Sequence, residues 1–282
     1  MKITLLGTGS PEAYVRRASS GYLVEIGDDK ILLDCGGGVY DRLVQSGRLP
    51  SDITHLFFTH LHTDHMMDYG RLVHGAWDEG APPMKVFGPE PIAKITEGYF
   101  GRDGVLSNDL RARTELPQSQ EVWVKRGGTL PRPWPAPEVT EVTAGFTHRG
   151  DGWTLTACRA THAQPILDCM AFRIEAGGKS FVYSGDTGLN PEVEALCTDA
   201  DLLLHWCYRL DGGEATESMK AVTPTPSEVA ALAQRAGVKQ LLLTHFRISM
   251  DTDEGRQKAL EAMRANYDGP CSVVEDLETY DL

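Results

Sequence analysis

The sequence has no CxxC pair, no apolar run long enough to cross a membrane, no low-complexity tract and no internal repeat. Without a repeat the chain is neither a solenoid nor an array, and without a long apolar run it offers nothing to a bilayer. Six cysteines, Cys35, Cys158, Cys169, Cys197, Cys207 and Cys271, are scattered through 282 residues. A chain of that length has interior enough to fold without disulfide staples, so a reducing cytoplasm is its expected setting. The opening MKITLLGTGS carries an apolar run that stops at Gly7, too short for a secretory segment. Positive charge is scarce as well: 27 Lys and Arg stand against 40 Asp and Glu, a net −13 spread along the chain. Such a field repels a polyanion, which disfavours nucleic acid and favours a small-molecule substrate. No GxSxG elbow and no P-loop is present, so neither a serine nucleophile nor a phosphate cradle is expected.

What is there reads as one globular unit over residues 1–282. Short β-type runs fall at 2–6, 21–26 and 30–34, the last two joined by a Gly-Asp-Asp turn. A helix follows CGGG and ends near Gly47, and a strand is expected at 55–59. Helices at 66–78 and 89–100 flank a strand at 84–88, and the Pro-rich stretch 101–137 reads as one short helix and a long surface loop. Strands at 138–146, 153–160, 168–175 and 179–184 form a meander. A second α/β run closes the chain, with helices near 190–196, 227–237 (capped by Ser227) and 253–266, and strands at 201–205, 239–245 and 271–275. Strands in both halves with helices outside them predict an α/β fold, an αββα sandwich of two facing mixed sheets.

The strand at 55–59 runs into His60-Leu61-His62-Thr63-Asp64-His65, three imidazoles and a carboxylate in six residues. In an extended segment His60 and His62 project to one side and can share one ion. Asp64 and His65 turn into the following helix and can serve a second.

THLHTDH at 59–65 resembles the HxHxDH signature of the metallo-β-lactamase fold superfamily. Later motifs stand in that family's order at strand ends: His162 in ATHAQP, Asp186 in YSGDTG and His245 in LLLTHF. The resemblance implies that His60, His62 and His162 bind a first metal, Asp64, His65 and His245 a second, and that Asp186 bridges them. It implies two divalent ions, zinc foremost, with manganese or iron acceptable to the same donors. The opening LLGTGSPEAYVRRASSGYLVEI and the LLDCGGG stretch are similar to the branch of ribonuclease Z, arylsulfatase-like and cyclic-nucleotide phosphodiesterase-like enzymes. Homodimer formation is expected by analogy of fold alone. Asp34, following KILL, is expected to support the site by accepting a ligand imidazole's N–H. His55, His74 and His148 belong to no motif.

Two positions depart from the ribonuclease Z-like pattern. Trp206 follows His205 where that branch usually has an acidic residue, and Val222-Thr223 stands where a His-Ser/Thr pair is usual. Loss of both side chains associated with RNA cleavage points away from ribonuclease activity. The expected chemistry is attack by a hydroxide held between the cations on a small ester, lactone or amide. Asp64 and His205 are the catalytic candidates, and Trp206, Tyr208, Phe246 and Trp77 the apolar walls. A phosphodiesterase or arylsulfatase is the alternative. An iron-dependent redox enzyme is disfavoured, because the di-iron type usually has Glu where this chain has His62.

Overall fold

The computed structural model describes all residues, 1–282. Its strands are β1 (Lys2–Gly7), β2 (Gly21–Ile26), β3 (Asp29–Leu33), β4 (His55–Phe57), β5 (Lys85–Gly88), β6 (Glu138–Glu141), β7 (Thr147–Arg149), β8 (Trp153–Arg159), β9 (Met170–Ala176), β10 (Lys179–Tyr183), β11 (Leu202–Trp206), β12 (Leu241–Thr244), β13 (Cys271–Val273) and β14 (Thr279–Asp281). They form two seven-stranded mixed sheets, ordered β14-β1-β2-β3-β4-β5-β6 and β13-β12-β11-β10-β9-β8-β7. The helices are α1 (Val39–Gln45), α2 (Thr63–Met66), α3 (Tyr69–Asp78), α4 (Ile92–Phe100), α5 (Ser107–Glu115), α6 (Pro117–Lys125), α7 (Pro191–Leu196), α8 (Glu217–Val222), α9 (Pro226–Arg235) and α10 (Asp253–Arg264).

Three apolar clusters define the layers. One lies between the sheets and holds Leu5, Phe57, Phe172, Phe181, Leu202 and Leu204. A second sits outside the first sheet, where Leu32 and Leu56 meet Leu43, Leu72 and Ile92 of α1, α3 and α4. A third sits outside the second sheet, where Leu203 and Leu243 meet Val193, Val229 and Met263 of α7, α9 and α10. Because β11 and β12 are buried on both faces, their sequences run apolar without alternation, as expected of strands covered by helices. The architecture is the αββα sandwich.

Local differences have local causes. Residues 101–137 form two helices, α5 and α6, where one was expected. No residue of α6 is buried, so it has no apolar stripe for a sequence to display. Of the expected strand 138–146 only 138–141 is strand, as β6 in the first sheet; residues 142–146 are a connection, and β7, in the second sheet, begins just past the expected end. A turn between them, closed by Phe146 N–H donating to Thr143 O at 3.1 Å and carrying Gly145 at φ 87°, moves the chain between sheets. Thr225, rather than Ser227, caps α9: it accepts from Glu228 N while the Glu228 carboxylate accepts from Thr225 N, with Pro226 in the first turn. The expected helix 66–78 starts earlier, at Thr63, and breaks before Tyr69. Helix α8, strand β14 and a short 3-10 turn at Pro50–Asp52 are further elements that were not expected.

Candidate metal centre

Parallel strands place their carboxyl ends at one edge of the sandwich, and the motif residues follow those ends. His60 comes three residues after β4, His162 three after β8, Asp186 three after β10, and His245 directly after β12. Asp64 and His65 lie in the first turn of α2. All seven side chains therefore converge. His60, Asp64, His65, Asp186 and His245 are buried, while His62 and His162 are partly open.

The nitrogens face one another rather than separate partners. His62 Nδ1 lies 3.0 Å from His60 Nε2 and 3.3 Å from His162 Nε2. His245 Nε2 is 3.2 Å from Asp64 Oδ2 and 3.3 Å from Asp186 Oδ2. His65 Nε2 lies 3.4 Å from Asp186 Oδ1 and 3.6 Å from Asp64 Oδ2, and His162 Nε2 is 3.7 Å from Asp186 Oδ2. Donors held about 2.0–2.1 Å from a tetrahedral ion sit about 3.3 Å apart, the spacing of these atoms. Asp186 reaches both groups, with Oδ1 toward His65 and Oδ2 toward His162 and His245.

Two atoms at the centre, His65 Nε2 and Asp186 Oδ1, are buried with no hydrogen-bond partner, a costly state unless something else binds there. Charge points the same way. Burial pushes the His65 imidazolium down, yet Asp186 and Asp34 outweigh it and hold its pKa well above the usual histidine range. Burial likewise acts to raise Asp186, and His245 and His65 keep it well below the usual carboxylate range. Burial and the neighbouring imidazole of His65 hold His60 well below its usual range, as a neutral ring with a lone pair to give. The donor set fits divalent cations bound by nitrogen and oxygen.

Asp34 supports this cluster from behind. Its Oδ2 lies 2.8 Å from His65 Nδ1 and accepts from Thr59 Oγ1 at 2.8 Å and Tyr183 Oη at 2.9 Å, while Oδ1 accepts from Thr59 N at 2.8 Å. Sequence reasoning finds Asp34 but misses Thr59 and Tyr183, whose residue types carry no metal-binding signal.

Trp206 stands against the centre. Its ring centroid is 5.1 Å from that of His162 and 5.4 Å from that of His245, both edge-on, and Tyr208 stacks behind it at 5.7 Å. The Trp206 indole donates to Thr187 O. His205 points elsewhere in its hydrogen bonding: its Nδ1 is 2.9 Å from Trp206 O, and its buried Nε2 has no partner. Burial depresses its pKa to about 4, so the ring is neutral. Trp77 is not a wall of this centre. It lies on α3 in the outer layer, donates to Pro133 O and stacks under the Arg132 guanidinium, because α3 turns its apolar face toward the first sheet. Phe246 is fully buried. His74 pairs with Asp109, and His55 and His148 contact Trp153 in an aromatic group that also holds Phe57 and Phe87.

An αββα sandwich with such a cluster at its strand ends is the framework of a metal-dependent hydrolase. Residues 29–246 match the family described as Beta-lactamase superfamily domain. Ribonuclease Z of Mycobacterium sp. (strain KMS) is 32% identical over 257 residues, 87% of this chain and 84% of that protein. The chain belongs to the β-lactamase superfamily, in its ribonuclease Z-like branch. Among solved structures, the metallo-β-lactamase fold protein YhfI from Bacillus subtilis superposes with a TM-score of 0.75 at 20% identity, over 99% of this chain and 98% of that one. Zinc-bound PqqB from Methylobacterium extorquens gives a TM-score of 0.68 at 16% identity, over 100% of both chains. These likenesses bear on the fold.

Proposed function

We propose that the protein is a binuclear hydrolase of small, weakly charged esters, lactones or amides. His60, His62 and His162 hold one divalent ion, Asp64, His65 and His245 hold the other, and Asp186 spans the two. Zinc is the first candidate, supported by the nitrogen-rich donor set and by the zinc in the similar PqqB fold. Divalent ions held by these residues would supply Lewis-acid polarisation of a substrate oxygen and would make a water more acidic. Asp64, whose Oδ2 lies 3.2 Å from His245 Nε2, is the carboxylate we assign to take up a proton from the attacking water. His205, expected from the sequence to be catalytic, is not retained as a proton donor: its neutral ring donates through Nδ1 to Trp206 O, which leaves no proton on Nε2.

Trp206 is the observation that carries the substrate class. A buried indole lies edge-on to one imidazole of each proposed metal set, so the site's wall is apolar where the related branch usually places an acid. The chain's net −13 adds a repulsive field for RNA. The reducing interior of the cell suits its six free cysteines, and no helix is long and apolar enough to cross a membrane.

Phosphodiester hydrolysis is the second reading, favoured by the similarity to ribonuclease Z. A panel separates the two: p-nitrophenyl esters and lactones against bis-p-nitrophenyl phosphate, p-nitrophenyl sulfate and precursor tRNA at low salt. Ester or lactone turnover is expected to dominate, with no useful trimming of tRNA. Efficient tRNA trimming there overturns the small-molecule assignment.

A further inference from the structure

His245 has φ +66°, in the left-handed region that a side chain with a Cβ rarely enters unless its surroundings hold it there. Its direction is therefore set by whatever anchors the turn that follows β12. The next residue, Phe246, donates its N–H to Thr8 O at 3.0 Å and forms a parallel bridge with Gly9. Thr8 is itself fixed, since its N–H and hydroxyl both donate to Asp276 Oδ1, at 3.0 and 2.7 Å.

Arg17 ties both ends of this turn together. Its side chain is 1% exposed. Nη1 donates to Thr8 Oγ1 at 2.7 Å and to Val274 O at 2.6 Å. On its other edge, Nε and Nη2 donate to Asp251 Oδ2 and Oδ1 at 2.7 and 2.8 Å, a bidentate fork. Asp251 lies six residues beyond His245, so one guanidinium grips the turn through Thr8 before Phe246 and through Asp251 at its far end. The guanidinium carbon lies 5.8 Å from the Phe246 ring centroid, between the two grips.

We infer that Arg17 is a positioning residue for the metal centre, fixing through Thr8 and Asp251 the turn that aims His245 Nε2 at Asp64 and Asp186. The arrangement is selective. His60 follows β4 and has Thr59 Oγ1 3.1 Å from its Nδ1, His62 contacts His60 and His162, and Arg17 bonds none of the three. Loss of Arg17 should therefore loosen the ion held by Asp64, His65 and His245 and leave the His60, His62 and His162 set intact. This role presupposes the two-ion centre proposed above.

Zinc titration of the metal-free protein against a fluorescent chelator tests it, using the parent, Arg17→Gln, Thr8→Val and Leu155→Ala. Thr8→Val removes only the hydroxyl between Arg17 and Asp276, which keeps the test alive if Arg17→Gln fails to fold. Leu155→Ala, between the sheets, lowers stability without touching the turn. In Arg17→Gln one ion should stay as tight as in the parent while the other weakens at least tenfold. Thr8→Val should follow in the same direction by a smaller factor, and the cobalt-substituted visible spectrum should change in both but not in Leu155→Ala. Equal weakening of both ions, affinities within threefold of the parent in both turn variants, or the same loss in Leu155→Ala overturns the positioning role. A parent that binds no zinc overturns the two-ion centre itself, and the two failures are thus distinct.

Discussion

Asp34 Oδ2 sits 2.8 Å from His65 Nδ1, and on the opposite side of the same ring His65 Nε2 faces Asp186 Oδ1 at 3.4 Å. An ionised carboxylate can only accept, so the Nδ1 proton goes to Asp34, and a cation at Nε2 would take the place of the proton there. Asp34→Asn can present an N–H instead and favours the wrong tautomer. Metal affinity and kcat are expected to fall about 10–100-fold, checked by zinc titration and by turnover at saturating zinc. Asp34→Ala should also destabilise the fold, because Thr59, His65 and Tyr183 lose their common acceptor.

Asp186→Asn separates a bridging carboxylate from one that merely supports a turn. An amide oxygen can still accept a hydrogen bond, so a turn role predicts near-normal activity. As a bridge between His65 on one side and His162 and His245 on the other, Asp186 is needed as an anion. The expected loss in kcat is at least about 100-fold, a barrier increase of roughly 2.7 kcal/mol. Thermal stability in excess zinc should change far less. A kcat within about threefold of the parent rules out the bridge.

Trp206→Glu restores an acidic side chain at the wall of the centre. Ester turnover should fall, and the ratio of bis-p-nitrophenyl phosphate to ester turnover should rise at least about tenfold, a shift of about 1.4 kcal/mol in relative barriers. An unchanged ratio shows that Trp206 does not choose the substrate.

His55 gives a pH prediction remote from the metal. Burial holds its pKa down at about 4, against an ordinary 6.5, with Lys85 and His148 adding to the effect and Asp29 opposing it. Between those values the unfolded chain binds a proton that the folded one does not. The neutral ring's full contribution is present above the ordinary value and is lost as pH falls toward about 4. The loss is on the order of 3 kcal/mol at most. Urea unfolding at pH 7.5 and 5 should show a smaller drop for His55→Phe than for the parent. Equal drops contradict a buried neutral His55.

Much of this arrangement was legible in the residues. His60, His62, Asp64 and His65 could be named from their spacing, which has a chemical meaning, whereas His162, Asp186 and His245 could be named only through the resemblance to the metallo-β-lactamase fold superfamily. The two sheets were legible from strands such as KILLD and DLLLH, whose apolar runs need cover on both faces. Helix α6 was not legible, since it buries nothing and so carries no periodic stripe. Nor was the end of β6 at Glu141, because the turn at 142–146 that changes sheets carries Val142 and Phe146 and so reads as a continuation of the strand. Trp77 was misplaced for a related reason: an aromatic near the motif in sequence can lie on the far face of a helix. Arg17 and Thr59 act largely through contacts distant in sequence, 234 residues from Arg17 to Asp251 and 25 from Thr59 to Asp34, and no local pattern announces them.

The most direct measurement is the metal content of the purified protein, by mass spectrometry of the elements, set beside that of His60→Ala combined with His62→Ala. The parent should hold up to two divalent ions per chain. The double variant should lose the ion of the His60, His62 and His162 set and all turnover while keeping its fold by circular dichroism. A double variant that keeps both ions and full activity contradicts the binuclear centre and the hydrolytic mechanism built on it.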